Sequence, residues 1–149
     1  MGEAKRVMMK LEAFTMDEED DEEPLALTTM GEVKHDGSKT ILTYTETGDD
    51  PTDENNTETV MLTICPDIVC MDKLGDFSSS MVFRPGLRYE GCYHTPFGDM
   101  PLLITRSQFT LKKNPDDNWY ELSLQYFLSI GGSPSIPHRM RFSWGPDPV

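Results

Sequence analysis

The sequence predicts an all-β protein whose antiparallel strands form a meander that closes into a barrel. Apolar and β-branched residues alternate with polar residues in segment after segment, whereas helical periodicity is absent. Each segment is bounded by Gly, Pro, Asp or Asn, which favour turns. About ten short strands without a helix leave a sandwich or a barrel, and sequential hairpins favour the barrel because its sheet has no exposed edge.

The individual strands are predicted from the residues that share a face. In the second strand, Gly31 predicts a bend or bulge, because glycine inside a strand often marks such a place. The clearest strand has a large apolar side chain at every second position: Tyr120, Leu122, Leu124, Tyr126, Leu128 and Ile130. In chain order, the predicted strands are residues 7–13, 25–33, 39–47, 57–64, 68–74, 80–84, 87–95, 102–112, 120–130 and 139–144.

The connections between these strands carry recognisable turn chemistry. Asp36 and Gly37 can supply the positive φ that a two-residue hairpin loop requires. The other predicted turns contain Pro, Gly or Asn and lie at 66–67, 84–86, 96–98 and 114–118, followed by a longer break at 131–137.

Length and composition predict one β-barrel domain over residues 1–149. The chain is 37% hydrophobic and 26% charged, as is ordinary for a globular protein. No apolar run reaches the roughly 18 residues of a spanning helix, so no membrane interaction is predicted. The N-terminus has no apolar stretch of signal-peptide length, and the expected location is therefore the cytoplasm.

The net charge of -13 is concentrated in two segments. Residues 17–23 contain seven acids and residues 49–58 contain five, which leaves 14 of the 26 acids against 13 Lys and Arg. Such dense like charge predicts two solvated acidic loops. The second segment lacks the D-x-[DN]-x-[DN]-G core of a calcium loop, and no metal site is predicted there. Without a basic patch, the chain is not expected to bind nucleic acid.

Three cysteines, Cys65, Cys70 and Cys92, form no CxxC pair and have no histidine at a zinc-ligand spacing. We expect small, reduced, partly buried side chains and no metal or other cofactor. A haem site would need an axial ligand such as His94 or His138, and no pattern around either residue indicates one.

Residues 74–105 carry an S-x-M-x-F-x-x-G element followed by Y-x-T-P-[YF]-G, formed by Ser79, Met81, Phe83, Gly86, Tyr93, Thr95, Pro96, Phe97 and Gly98. Together with strand motifs at 29–31, 44–46 and 139–142, this stretch resembles the YwiB-like family of uncharacterised bacterial proteins. The resemblance covers nearly the whole chain. It implies a calycin or lipocalin-like barrel of eight to ten strands in the bacterial cytosol, and it implies no established activity.

A small barrel can hold one ligand in its interior or at its mouth. In the strand 87–95 we expect the face with Tyr89 and Tyr93 to point inside, where their hydroxyl groups need a partner or a ligand. Convergence of Arg84 and Arg106 would create a site for an anion, because guanidinium binds carboxylate or phosphate through two parallel bonds.

Two further arginines, Arg139 and Arg141, are open to either interpretation. They join the same anion site if they point inward. Alternatively, they lie on the outer face and pair with acids such as Glu46 and Glu90.

The first functional hypothesis is a non-enzymatic barrel that binds a small molecule or a peptide in or at its mouth, with candidate residues Tyr89, Tyr93, Arg84, Arg106 and His94. The second is a protein interaction module, a homodimer included, that uses outward aromatic side chains at Phe14, Trp119 and Phe127. The third is an enzyme in which His94 acts with Glu90, although no catalytic motif is present.

Overall fold

The computed structural model describes residues 4–15, 25–47, 57–75, 78–116 and 118–146. These residues form ten strands and no helix, so the described part of the chain contains no helix that could cross a bilayer. The strands are β1 (Lys5–Thr15), β2 (Leu25–Asp36), β3 (Lys39–Thr47), β4 (Thr57–Ile64), β5 (Val69–Leu74), β6 (Ser78–Phe83), β7 (Tyr89–Thr95), β8 (Gly98–Asn114), β9 (Trp119–Ile130) and β10 (Ile136–Pro146).

The ten strands close into one antiparallel barrel. Each strand pairs with the strands before and after it in the chain, and β1 pairs with β10 from Val7↔Pro146 to Thr15↔His138. This closure confirms the predicted all-β barrel of eight to ten strands. Because closure pairs both edges of the sheet, it removes the exposed edge that a ten-stranded open sheet would present.

Inward side chains from all parts of the barrel form a single core. The alternation predicted for β9 is confirmed, since Leu122, Leu124 and Tyr126 are buried. The largest fully buried side chains are Trp144, Phe83 and Phe142. Burying side chains of this kind stabilises the fold by about 1.5–3 kcal/mol each before conformational entropy is subtracted.

Of the bend or bulge predicted at Gly31, the bulge is wrong. Gly31 pairs with Val7 on one side and with Tyr44 on the other without a register shift. A Cβ at this position would lie 2.4 Å from the sulfur of Met9, so the glycine makes room for that inward side chain. The bulge lies instead in β8, between Thr105 and Gln108, where Arg106 has a φ of 53°.

Two strands extend into segments that the sequence predicted as turns or breaks. Strand β8 begins at Gly98 rather than at residue 102, and its Pro101 remains in the sheet because its carbonyl accepts the Gly131 N–H at 2.8 Å. Strand β10 begins at Ile136, inside the predicted break at 131–137. Proline lacks an N–H but is accommodated near the start of a strand, which a reading of turn residues alone does not anticipate.

The barrel has two ends, and we call the upper end the one at which β1, β3, β5, β7 and β9 finish. Both acidic segments connect strands at the upper end, and residues 17–23 and 49–56 lie outside the described residues. The predicted acidic loop at 49–58 included Glu58, and this assignment is wrong. Glu58 belongs to β4 and is only 2% exposed, because its side chain shares the inward face with Val60 and Leu62.

The ladder between β6 and β7 is the shortest in the barrel. These strands share two register pairs, Ser78↔His94 and Ser79↔Tyr93, whereas β7 and β8 share seven. Below this short ladder the ring of Tyr89 lies over Gly91, where an added Cβ would be 2.7 Å from the ring. The interruption leaves a groove on the outer surface.

Candidate functional site

A cavity of about 500 Å³ opens at the upper end of the barrel. Its walls are mainly inward side chains from β5 to β10, which the alternation of the strands directs to the interior. The apolar part of the lining consists of Ala13, Phe14, Met71, Met81, Met100, Leu102, Leu128, Ile130 and Met140. Four methionines on one cavity provide a polarisable and adaptable surface, because their side chains are unbranched and flexible.

A row of polar side chains crosses one wall of this cavity. Lys73 on β5 lies opposite Ser79 on β6, and Ser79 lies opposite Tyr93 on β7, so the three side chains follow one another across neighbouring strands. Ser79 is buried, and its Oγ has no hydrogen-bond partner in the part of the chain that the structure describes. A buried hydroxyl in this position is satisfied by water or by a ligand group.

Tyr126 and His138 form a second polar feature of the lining. They lie opposite each other on β9 and β10, and the Tyr126 hydroxyl donates to the sulfur of Met140 at 3.3 Å. Burial raises the pKa of Tyr126 to about 12 and lowers the pKa of His138, because desolvation disfavours the charged form of each group. Both side chains are therefore neutral near pH 7.

The five residues predicted as a site do not come together. Tyr93 lines the cavity, as expected for the inward face of β7. Tyr89 packs against the core below it, beside the interruption between β6 and β7. Arg84 is exposed at the lower end, and the guanidinium of Arg106 lies over the Phe127 ring, with its Cζ 5.2 Å from the ring centroid. Neither Arg84 nor Arg106 lines the cavity, so the condition for an anion site there, convergence of these guanidinium groups, is not met.

His94, the fifth residue, points away from the cavity on the outer face of β7. Its Nδ1 lies 2.9 Å from Oδ1 of Asp99. The proposed carboxylate partner, Glu90, instead accepts a hydrogen bond from Arg88 at 2.6 Å. The pairing of His94 with Glu90 that the enzyme hypothesis required is thus absent from the described structure.

The arginines of β10 lie on the outer face, as one of the two interpretations held. Arg141 approaches Glu121 at 3.0 Å and Glu12 at 3.9 Å, which are acids on the two strands that flank β10. The predicted partnership of Arg141 with Glu90 is wrong, because Glu90 is on β7 and pairs with Arg88. The side chain of Glu46 lies outside the described residues.

The outward aromatic side chains proposed as a partner surface are each half-buried against their own chain. Trp119 covers Gly145, and a Cβ on that glycine would lie 2.5 Å from the indole ring. Phe127 is covered by Arg106. Phe14 contributes to the lining of the cavity. These contacts reduce the apolar area that the three rings offer to a partner.

Sequence reasoning missed most of the residues that shape the cavity. Lys73, Tyr126 and three of the four methionines fall on inward positions of predicted strands, so alternation was a signal that could have found them. Ser79, Met100 and His138 lie one or two residues before the predicted starts of their strands. Alternation assigns a side chain to the interior. It does not show that one end of the interior is hollow.

Comparison with known proteins gives a family and a fold. A family model described as a domain of unknown function, DUF1934, matches residues 9–142. The crystal structure of the ywiB protein from Bacillus subtilis is similar, with a TM-score of 0.76 over 97% of this chain and 93% of that chain, at 16% sequence identity. No curated protein matches the chain. The match over most of the sequence and the shared barrel show that the chain belongs to the DUF1934 family.

Proposed function

We propose that this protein binds one small, largely apolar molecule with a polar end in the cavity at the upper end of the barrel, and that it does so without transforming the molecule. The observation that carries the proposal is the cavity itself. Its volume of about 500 Å³ falls within the range of roughly 300–1,000 Å³ that is usual for ligand pockets. A lining of many apolar side chains and few polar ones is also typical of such pockets.

The distribution of polar groups supports an amphipathic ligand. The row formed by Lys73, Ser79 and Tyr93 offers an ammonium group and two hydroxyl groups on one wall. The remaining wall is dominated by Met, Leu and Ile side chains, against which an apolar body can pack. A ligand with its polar end at this row would form a hydrogen bond with the buried Ser79 hydroxyl. Hydrogen bonds to the row would also replace those that the polar end of the ligand makes with water.

Exposed apolar side chains lie at the upper end of the barrel, the end at which the cavity opens. Among the residues that the structure describes, four of the six exposed large hydrophobic side chains lie at the upper end: Leu74, Phe97, Met100 and Ile136. Phe97, at the tip of the β7–β8 turn, is 92% exposed. Exposed apolar side chains near a cavity are typical of binding sites, and their position supports entry of an apolar molecule from the upper end.

The raised pKa of Tyr126 argues against proton transfer by this ring of the cavity. Tyr126 and His138 stack on each other. Both are neutral near pH 7, because burial raises the pKa of Tyr126 and lowers the pKa of His138. A general acid or base works best with a pKa near the operating pH. Tyr126, with a pKa of about 12, is far from that condition.

The proposal is tested with an environment-sensitive dye, anilinonaphthalene sulfonate, which has an apolar body and a charged end. We expect saturable fluorescence enhancement with one dye per chain. Leu128→Trp places a larger ring in the cavity and should weaken dye binding at least about tenfold by excluding the dye. Leu111→Trp, at an exposed position near the lower end, is the matched control and should bind as the unmodified protein does.

Equal dye binding by the unmodified protein and Leu128→Trp contradicts the proposal, provided that circular dichroism shows the same strand content for both. If Leu128→Trp does not fold, Met140→Phe supplies a smaller increase in volume at the same cavity. Native mass spectrometry of protein purified from its own cells then separates the ligand classes. A retained mass of a few hundred daltons supports the small molecule, whereas a retained peptide supports the alternative occupant.

A further inference from the structure

Three metal-binding side chains meet on the outer face of the β7–β8 hairpin, away from the cavity. The Sγ of Cys92 lies 3.8 Å from Nδ1 of His94, and that nitrogen lies 2.9 Å from Oδ1 of Asp99. The three donor atoms all lie within 4.8 Å of one another. Cys92 is half-buried, while the side chains of His94 and Asp99 are 53% and 62% exposed, so an ion can reach the cluster from solvent.

The hairpin dictates this meeting. Cys92 and His94 are two residues apart on one strand and therefore share its outward face. Asp99 is the direct cross-strand partner of His94 in the ladder between β7 and β8. Directly opposite side chains of an antiparallel pair have Cβ atoms only about 4.5–5.5 Å apart.

The turn that joins the two strands fixes the backbone from which His94 and Asp99 project. The Thr95 hydroxyl donates to the Gly98 carbonyl at 2.7 Å and accepts the Phe97 N–H at 3.1 Å. Both bonds close the short loop between His94 and Asp99, the two residues whose side chains face each other. Ligands fixed before an ion arrives lose little conformational entropy on binding, which favours affinity.

The donor set selects the kind of ion. A thiolate and an imidazole are preferred by borderline and soft ions such as Zn²⁺, whereas Ca²⁺ and Mg²⁺ prefer oxygen ligands. From Zn–S, Zn–N and Zn–O bonds of about 2.3, 2.0–2.1 and 2.0–2.2 Å, tetrahedral donors lie about 3.4–3.6 Å apart. The separations of 3.8 and 2.9 Å from His94 lie on either side of this range, and the third pair of donor atoms lies within 4.8 Å. Side-chain shifts of at most about 1 Å would therefore form the site.

The same geometry argues against a Cys-His-Asp catalytic relay. In such a relay one ring nitrogen faces the nucleophile and the other faces the carboxylate. Here the Cys92 sulfur and the Asp99 carboxylate both approach Nδ1 of His94. Three donor atoms that lie next to one another can instead surround one ion placed between them.

From this convergence we propose that Cys92, His94 and Asp99 bind one divalent transition-metal ion of the zinc class, with a fourth coordination position open to solvent. Beside the cluster runs the groove left by the interrupted β6–β7 ladder, of about 320 Å³, whose lining includes Ser78, Ser80 and Tyr89 together with Cys92 and His94. Three protein ligands and one exchangeable position are the arrangement found in zinc sites that bind external ligands. None of the three ligands lines the cavity, although the groove and the cavity share Lys73 and Ser79 in their walls.

Sequence spacing did not predict this site, because the ligands do not follow a CxxC or His-x-His pattern. The spacing is Cys-x-His on one strand and an Asp five residues later on the next, which becomes compact only when the two-residue turn is formed.

The test is a titration of the full chain with Co²⁺, followed by displacement with Zn²⁺. We expect one ion per chain and a near-ultraviolet absorption from charge transfer between thiolate and Co²⁺. Cys92→Ser should abolish this absorption. Cys92→Ser, His94→Gln and Asp99→Asn should each weaken Zn²⁺ binding at least about tenfold. Cys70→Ser removes a half-buried thiol outside the cluster and should leave both readouts unchanged.

Three results would overturn the proposal. One is the absence of thiolate absorption when Co²⁺ is bound, and another is equal Zn²⁺ affinity in the unmodified protein and Cys92→Ser. The third is displacement of Zn²⁺ by equimolar Ca²⁺, which would indicate oxygen ligands such as the acidic segments at 17–23 and 49–56. Because the altered positions are on the outer face, circular dichroism should show unchanged strand content in every variant.

Discussion

Tyr126 and His138 stack across the β9–β10 pair, with ring centroids 5.4 Å apart and planes 11° from parallel. The Tyr126 ring also meets Phe83, whose centroid is 4.8 Å away, so the lining of the cavity is continuous with the packed core. The candidate binding site is therefore built on paired strands of the barrel rather than on its connecting segments. Sites on regular elements are held more rigidly than sites on loops.

The burial of His138 predicts a dependence of stability on pH. Its pKa in the folded protein is lowered from 6.5 by desolvation, so the unfolded chain binds more protons as the pH falls below 6.5. The contribution that neutral, buried His138 makes to the free energy of unfolding is fully present above pH 6.5. It is lost as the pH falls from 6.5 through the lowered pKa of the folded protein. Urea denaturation at a series of pH values measures this loss.

His138→Phe is the matched variant, because a phenyl ring can keep the stack on Tyr126 but cannot titrate. Below pH 6.5 the free energy of unfolding of this variant should fall less steeply with pH than that of the unmodified protein. The difference between the two slopes corresponds to at most one proton bound on unfolding. Parallel pH profiles for the two proteins would show that His138 is not held neutral by the fold.

Much of the barrel could be predicted from the sequence, because alternation and turn chemistry are local properties. The inward face of β9 and the inward position of Tyr93 followed directly from period two. The contacts of His94 with Cys92 and Asp99 could not be predicted in this way. The turn at 96–98 was recognised, but the cross-strand partner of a residue depends on the loop length and register of the hairpin, which turn residues alone do not fix.

The position of the cavity is a property of the whole barrel and could not be predicted from any one strand. The same inward face of β9 contributes Leu122 and Leu124 to the packed core and Leu128 to the cavity. Which level of the barrel is filled depends on the summed volume of side chains from ten strands at that level. A local sequence pattern does not give this total side-chain volume.

Leu122→Ala should destabilise the protein strongly. Leu122 is fully buried on β9, opposite Phe142 on β10 and Leu111 on β8. Deleting its side chain removes buried apolar area and leaves a cavity, which costs about 2–5 kcal/mol. Leu111→Ala makes the same chemical change at an exposed position and should cost about 1 kcal/mol or less. Equal losses in urea denaturation would mean that the lower barrel is not packed as described.

Gly145→Ala should also destabilise the protein, but through overpacking. Gly145 is buried beneath the indole of Trp119, and a Cβ would lie 2.5–2.6 Å from three atoms of that ring. Either the ring or the strand must move, at a cost of about 1–3 kcal/mol. In a Trp119→Leu background the obstructing ring is gone, so the cost of Gly145→Ala should largely disappear. A double-mutant cycle with no coupling between the two positions would refute this contact.

Tyr93→Phe should weaken binding of an amphipathic ligand without affecting the fold. Tyr93 belongs to the polar row with Lys73 and Ser79, where its hydroxyl can bond to the polar end of the ligand. Losing one such hydrogen bond costs about 0.5–1.5 kcal/mol, which corresponds to roughly a 2- to 12-fold loss of affinity. The measurement is a fluorescence titration with anilinonaphthalene sulfonate. Tyr89→Phe removes the same atom from a ring that packs outside the cavity and should bind the dye with unchanged affinity. A larger effect of Tyr89→Phe than of Tyr93→Phe would place the dye at the groove between β6 and β7 rather than in the cavity.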